Sequence, residues 1–268
     1  MAAIIEKDLP IGVFDSGFGG ITVLAQLVNS LPNERFIYYA DSAHAPYGAK
    51  SAEQIKQYSL EVVGNLMSHG IKALMVACNT ATSVAINTLR TNLHMPVVGM
   101  EPALKPAIQV PGNGAVVVMA TPVTLSESKF QALMGKFVGQ KEIISLPCPG
   151  LVEIIEAGYT EGPYIANYLE DLYQCIDLNH VNAIVLGCTH YIYIRKELQT
   201  LVGERIRIID GNLGASNRLR VLLQETNIAQ DTPPVPIVER VQFLTSGSEE
   251  LIPQCWKMLH KALDAQNK

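Results

Sequence analysis

Apolar and polar positions alternate along this chain in blocks that predict strands and helices in turn. Nine short apolar runs have the composition of buried strands, and they cover residues 11–14, 35–40, 73–77, 97–100, 115–120, 142–146, 183–186, 206–209 and 241–244. Amphipathic helical patterns separate most of these runs. Strands that alternate with helices predict an α/β fold with largely parallel sheets.

The clearest helix is predicted to start after Ser51. Gln54 follows three residues later, which is the spacing of a capping box. Apolar side chains then recur at helical spacing until Gly70 closes the pattern, and they are Ile55, Tyr58, Val62, Leu66 and Met67.

Two stretches of the chain resemble each other. ALMVACNT begins at Ala73 and AIVLGCTH begins at Ala183, and each places an apolar run before a small residue, a cysteine and hydrogen-bonding side chains. The repeat predicts two similar α/β units, residues 1–98 with 209–268 and residues 99–208, in which the last strand and helix complete the first unit. Ligands of open α/β sheets bind beyond the carboxyl ends of the strands, so we expect the active site in a cleft between the units.

Composition limits the classes of function. Hydrophobic residues make up 48% of the chain and charged residues 17%, as is typical of a compact globular protein. The formal net charge is −5 and no block of Lys or Arg occurs, so we expect no nucleic-acid partner. No apolar run approaches the length of a membrane span, and the first ten residues, MAAIIEKDLP, lack the layout of a signal peptide. We predict a cytoplasmic protein without a membrane partner.

The five cysteines are the candidate reactive groups. Their number is odd, their spacing is wide and no C-x-x-C pair occurs, so neither a disulfide framework nor a metal site is predicted. Cys78 and Cys188 follow buried strands and precede predicted helices, whose N-termini favour a thiolate. An isolated cysteine is more often an inert small apolar residue, which is our interpretation of Cys148, Cys175 and Cys255.

A pair of equivalent thiols suits racemisation. One group removes the Cα proton from one face while the other supplies a proton to the opposite face. The carbanion-like transition state also needs oriented hydrogen-bond donors, for which Asn79, Thr80 and Thr189 are candidates. No lysine stands in these motifs to form a Schiff base, so we expect no cofactor.

Two further motifs follow predicted strands. FDSGFGG, residues 14–20, ends a strand with Asp15 and Ser16 and continues with glycines that let the backbone approach a ligand closely. On spacing alone, a tight turn with Asp15 or Ser16 as the N-cap of the next helix is the simpler interpretation. ADSAHAPYG, residues 40–48, repeats the order of strand, Asp and Ser, and it also fits a loop with Tyr47 as a surface aromatic.

Taken together, these motifs are specific. FDSGFGGITVL, YYADSAHAPYG, ACNTATS and LGCTHY stand in the order and spacing of one family. The chain resembles the aspartate/glutamate racemase superfamily, and within it the glutamate racemases, over nearly its whole length. The resemblance implies two α/β domains in a pseudo-two-fold relation and cofactor-independent interconversion of L- and D-glutamate for peptidoglycan synthesis. Ile192 and Gly211 depart from the family, which usually has Pro and Ser at these positions.

The resemblance also implies roles for individual residues. It makes Cys78 and Cys188 the paired acid and base, and Asp15, His190 and Glu153 the groups that assist them. Glu153 also fits a simpler role as a negative charge in the first turn of a short helix. The implied contacts to the small-molecule substrate are Asp15, Ser16, Tyr47, Gly48, Asn79, Thr80, Thr189 and His190.

Three other classes of protein share part of the pattern. Aspartate racemases keep both thiols, but similar members typically have Glu where His190 stands here. A cysteine hydrolase needs one thiol paired with a base, which leaves the second thiol without a role. A two-lobed amino-acid-binding protein shares the architecture but has no use for the thiols. The oligomeric state stays open between a monomer and a homodimer.

Overall fold

The computed structural model describes residues 7–266 of the chain. Residues 1–6, which form most of the N-terminal stretch used to predict the absence of a signal peptide, lie outside the described residues, as do residues 267–268. The strands are β1 (Ile11–Asp15), β2 (Phe36–Ala40), β3 (Ala73–Val76), β4 (Val97–Gly99), β5 (Ala115–Ala120), β6 (Ile143–Pro147), β7 (Val181–Leu186), β8 (Arg207–Ile209) and β9 (Val241–Thr245). The α-helices are α1 (Ile21–Ser30), α2 (Ala52–Ser68), α3 (Asn79–Asn92), α4 (Leu104–Ile108), α5 (Pro122–Ser126), α6 (Ser128–Gly135), α7 (Leu151–Glu156), α8 (Pro163–Tyr173), α9 (Arg195–Val202), α10 (Asn212–Glu225), α11 (Ile237–Arg240) and α12 (Ile252–Gln266).

Each predicted apolar run forms a strand, and the strands make two parallel sheets. The first sheet has the order β4-β3-β1-β2-β9 and the second has the order β6-β5-β7-β8. Every pairing in both sheets is parallel. The predicted α/β class with parallel sheets is therefore confirmed. Strands of this kind are buried on both faces and so read as continuous apolar runs.

The chain divides into two compact units. One unit holds the described residues up to Met100 together with those from Asn212 onward, and the other holds Glu101–Gly211. The segment from Asn212 onward adds β9 to the edge of the first sheet, beside β2. Its helices α10 and α12 pack against α1.

Helix α2 shows how local sequence sets an element of the first unit. The Ser51 Oγ accepts a hydrogen bond from the Gln54 N–H at 3.3 Å, and the Gln54 Oε1 accepts one from the Ser51 N–H at 3.1 Å. This is the predicted capping box. Past the end of the helix, Gly70 has a φ of +70°, a conformation that glycine adopts without strain. Of the predicted apolar positions, Met67 is 41% exposed rather than buried.

The second unit has a core on each face of its sheet. On one face, alternate residues of β5 and β7 such as Val117 and Ile184 pack against α7, α8 and α9. On the other face, the intervening residues such as Val118 and Val185 pack against α4, α5 and α6. The period-two alternation of side chains explains why both strands are apolar throughout.

The two sheets repeat one connectivity. Strands β4-β3-β1-β2 of the first sheet correspond in order to β8-β7-β5-β6 of the second, and β9 is the extra edge strand. The strands that precede Cys78 and Cys188, β3 and β7, therefore hold the same place in their sheets. No helix within residues 7–266 is long and apolar enough to cross a membrane.

Candidate active site

The carboxyl edge of the first sheet brings together two of the predicted motifs. Strands β1 and β3 are neighbours, with Phe14 paired to Val76, so the residues that follow them meet at one edge. The chain continues from β1 to β2 on one side of β1 and then crosses to β3 on the other side. Such switch points are the usual ligand sites of open α/β sheets. The Cys78 Sγ donates to the Ser16 Oγ across 3.7 Å.

Cys78 is the N-cap residue of α3. Its Sγ accepts a hydrogen bond from the Ala81 N–H at 3.4 Å. The side chain is buried, with 5% of its surface exposed. An amide donor at a helix N-terminus favours the thiolate over the thiol.

Asp15 is buried at the end of β1 and shapes the turn that follows. Its Oδ1 accepts a hydrogen bond from the Gly17 N–H at 2.9 Å. Gly20, not Asp15 or Ser16, is the N-cap of α1, and it makes no side-chain cap hydrogen bond. The prediction of Asp15 or Ser16 as a helix cap is therefore wrong, because the chain needs four more residues to turn before the helix begins.

Tyr47 belongs to a buried network rather than to the surface. Its hydroxyl donates to the Asp41 Oδ2 at 2.6 Å, and the His44 Nδ1 lies 2.9 Å from the Asp41 Oδ1. Burial raises the pKa of Tyr47 above its ordinary value, and the hydrogen bond and charge of Asp41, with smaller effects from Cys78 and Asp15, act in the same direction. Tyr47 is thus a phenol donor at neutral pH.

The sequence prediction did not include Asp41. Its position was the available signal, because Asp41 directly follows the last residue of β2, and Asp15 is the last residue of β1. Gly48 lies in the short 3₁₀ turn Tyr47–Ala49 that leads into α2.

Asn79 and Thr80 form the first turn of α3, directly after Cys78, and both are buried. The Asn79 Nδ2 donates to the Met100 carbonyl at 3.3 Å, which ties the start of α3 to the end of β4. The structure places both residues at the carboxyl edge of the sheet, beside the thiol.

The carboxyl edge of the second sheet presents Cys188 in a different local structure. Cys188 follows β7 and precedes a helix, as predicted, but the first part, Thr189–Ile194, is a 3₁₀ helix, and α9 begins only at Arg195. Its side chain accepts no cap hydrogen bond there. Thr189 and His190 are buried in this turn. The Cys188 Sγ instead lies 3.9 Å from the His190 Nδ1.

A carboxylate completes this second cluster, but it is not the predicted one. The His190 Nε2 donates to the Glu156 Oε1 at 2.9 Å. Glu153 lies one turn earlier, exposed in the first turn of α7, where a negative charge favours the helix start. The structure brings Glu156, and not Glu153, to His190.

The remaining cysteines have other surroundings. Cys148 is buried after β6, and burial raises its pKa above the ordinary value, with the nearby Cys188 acting in the same direction. Burial likewise raises the pKa of Cys255 to about 11. Cys175 is exposed in the turn after α8. Within residues 7–266, no group of three or more His, Cys, Asp or Glu side chains could hold a metal ion.

Comparison with known proteins places these features in a family. A family model described as Asp/Glu/Hydantoin racemase matches residues 11–217. The glutamate racemase of Clostridium novyi (strain NT) is 49% identical over 213 residues, which cover 79% of this chain and 82% of the relative. The chain therefore belongs to the Asp/Glu/hydantoin racemase family, and the predicted resemblance is confirmed.

Solved structures agree with that assignment. The crystal structure of glutamate racemase from Francisella tularensis in complex with D-glutamate matches with a TM-score of 0.82 at 28% identity, over 95% of this chain and 94% of the other. The Escherichia coli glutamate racemase in complex with L-glutamate and the activator UDP-MurNAc-ala also matches with a TM-score of 0.82 at 28% identity, over 95% of each chain. The chain is thus an isomerase of the racemase type.

Proposed function

We propose that this chain interconverts L- and D-glutamate and so supplies D-glutamate for peptidoglycan synthesis. The observation that carries the proposal is the matched placement of Cys78 and Cys188 after corresponding strands of two sheets with the same connectivity. Relatives named glutamate racemase, about half identical to this chain, support glutamate as the substrate. The cytoplasmic location stays a prediction, and the oligomeric state stays open between a monomer and a homodimer.

The proposed reaction needs one thiolate and one thiol. The thiolate takes the proton from the substrate Cα, the C–H electron pair spreads toward the α-carboxylate, and the thiol gives its proton to the opposite face. The reverse direction exchanges these roles. Each general acid or base contributes roughly 10²–10⁴-fold, so the reaction requires both sulfurs to reach one Cα from opposite sides.

The two thiols would be activated by different means. For Cys78, the Ala81 N–H at the start of α3 favours the thiolate. For Cys188, a neutral His190 whose Nε2–H donates to Glu156 presents the Nδ1 lone pair to the sulfur. The imidazole can then accept the thiol proton, and the carboxylate stabilises the imidazolium that forms. We therefore assign the assisting role to Glu156 rather than to Glu153.

Neutral donors would hold the two carboxylates of glutamate. The motif positions contain hydroxyl, amide and backbone N–H groups and no arginine, and they include Ser16, Asn79, Thr80 and Thr189. Such donors can tighten as charge spreads onto the α-carboxylate, which raises turnover more than it strengthens substrate binding. Asp15 would assist the Cys78 side from its buried position at the end of β1.

Circular dichroism of purified protein with single enantiomers tests the proposal. L-glutamate and D-glutamate should each decay to the same racemic mixture, and the rate should be unchanged after dialysis against a chelator. L-aspartate is the matched control, because it differs by one methylene, and it should decay far more slowly. Equal rates with aspartate would favour the aspartate racemase class, and no decay with either would favour a binding protein or a hydrolase.

A further inference from the structure

A cavity of about 570 Å³ opens at the amino edge of the first sheet. It lies at the starts of β1, β2 and β9, so it is at the edge opposite the one that carries Asp15 and Cys78. Its volume is within the range of small-molecule sites. This amino-edge cavity is lined by side chains of both polarities, among them Arg35, His69, Val238, Arg240, Phe243 and Trp256.

Arg240 is the unusual member of this lining. Only 8% of its surface is exposed, yet within residues 7–266 no carboxylate lies in ion-pair range of its guanidinium. Burial lowers the pKa of Arg240 below its ordinary value, with no acidic neighbour acting against it. A buried charge without a counterion is costly and uncommon in native proteins.

The internal contacts of Arg240 leave much of its hydrogen-bonding capacity unused. Its Nη1 donates to the Pro32 carbonyl at 2.5 Å and to the Leu31 carbonyl at 3.5 Å. Its Nε is buried and has no hydrogen-bond partner among the described residues. A guanidinium has five N–H donors, so the contacts at the end of α1 account for only part of what this side chain offers.

The surroundings limit which anion would fit. Asp8 and Glu239 also line the amino-edge cavity, but both are exposed, and the Asp8 Oδ1 already accepts from the Gln230 Nε2 at 2.8 Å. With Arg35, which is also exposed, the formal charges of these lining side chains and Arg240 sum to zero. Arg240 is the one buried charge among them, so a singly charged ligand would supply the counterion that it lacks. Two aromatic side chains form an apolar part of the cavity lining. Trp256 packs edge-on against Phe243, with ring centroids 5.1 Å apart.

We propose that the amino-edge cavity binds a small organic monoanion in which a carboxylate is attached to a planar ring. The carboxylate would be the missing counterion of Arg240, for which a guanidinium is well shaped. The ring would lie against Trp256, where aromatic contact area is available. This site is independent of the proposed racemisation, because it uses none of the residues at the carboxyl edges.

The chain carries its own reporter for this site, since Trp256 is its only tryptophan. The experiment titrates the full chain with benzoate while tryptophan emission is followed on excitation at a wavelength that tyrosine does not absorb. Benzamide is the matched neutral control, and acetate is the anion without a ring. We expect tryptophan emission to change with benzoate until the site is saturated. The dissociation constant of benzoate should be about tenfold or more below that of benzamide or acetate, because one charge-assisted hydrogen bond contributes about that much affinity. Equal responses to benzoate and benzamide, or no response to benzoate, would overturn the proposal.

Variants locate the binding. Arg240→Lys keeps the charge but not the fork of donors and should weaken benzoate binding about tenfold. Arg218→Gln, an exposed arginine of α10 outside the amino-edge cavity, should leave binding unchanged. Binding that is unaffected by Arg240→Lys, or weakened equally by Arg218→Gln, would mean that benzoate binds elsewhere. If Arg240→Lys does not fold, the comparison of benzoate, benzamide and acetate on the unaltered chain still decides the question.

Discussion

Replacing Gly20 by alanine should disturb Asp15 more than any other residue. A Cβ at Gly20 would lie 2.6 Å from the Asp15 Cβ, 3.0 Å from the Asp15 Cγ and 2.8 Å from the Tyr38 Oη. Both neighbours are completely buried, and the Tyr38 hydroxyl donates to the Gly17 carbonyl at 2.8 Å. Neither can move without disturbing the turn between β1 and α1.

The size of the effect follows from these distances. An ordinary contact begins at 3.4 Å, so the Asp15 side chain must retreat by about 0.8 Å. Overpacking in a full core costs about 1–3 kcal/mol, and weakening the hydrogen bond of Tyr38 adds about 0.5–1.5 kcal/mol. We expect Gly20→Ala to destabilise the first unit by about 2–4 kcal/mol and, if Asp15 assists catalysis, to lower turnover by roughly 10–100-fold.

Gly64 supplies a matched control. It lies inside α2 of the same unit, and a Cβ there would meet no atom within 4 Å. Gly64→Ala should therefore stabilise the helix by about 0.5–1 kcal/mol and leave turnover unchanged. Urea unfolding followed by Trp256 emission measures both variants, because this tryptophan belongs to the first unit. A Gly20→Ala protein with the wild-type midpoint and turnover would refute the argument.

Three further predictions concern side chains elsewhere in the two units. Glu156→Gln should lower glutamate turnover by roughly 10–100-fold, because it removes the charged hydrogen-bond partner of His190. Glu153→Gln should change turnover less than about threefold, and equal losses in the two variants would contradict the assignment of Glu156. Lys72→Met breaks a buried ion pair and should lower the free energy of unfolding by about 3–5 kcal/mol in urea titrations, whereas Lys7→Met breaks an exposed pair and should cost at most about 1 kcal/mol. Cys175→Ser should remove the fastest-reacting thiol of the native protein in a disulfide-exchange assay, since that thiol is exposed, and an unchanged fast phase would show that another cysteine reacts first.

Most of the fold could be predicted because parallel strands and amphipathic helices leave strong periodic patterns. The apolar runs define the ends of elements less well. Strand β6 ends at Pro147, one residue later than its apolar run, and β7 begins at Val181, two residues earlier than its apolar run. These ends depend on pairing with β5, which the residues of one strand do not encode. Met67 lies at the margin of the apolar stripe of α2, where a small rotation of the helix decides exposure.

Site residues that directly follow strands could be predicted from the sequence. Site residues that are defined by contacts between distant parts of the chain could not. Glu153 and Glu156 are three residues apart on one helix, so they project from neighbouring positions and helical spacing cannot separate them. Only the placement of α7 beside the turn after β7 shows which one reaches His190. The 3₁₀ form of that turn is likewise invisible to periodicity, because 3₁₀ and α turns of this length share similar spacing.

The most direct test of the two-thiol mechanism is hydrogen exchange at Cα of single enantiomers in D₂O, followed by proton NMR. Cys78→Ala and Cys188→Ala should each abolish racemisation of glutamate while the far-ultraviolet circular dichroism of the protein stays unchanged. Each variant keeps one thiol, so each should still exchange the Cα proton of one enantiomer without inverting it, and the two variants should act on opposite enantiomers. Racemisation that persists in either variant, or exchange of the same enantiomer by both, would contradict the mechanism.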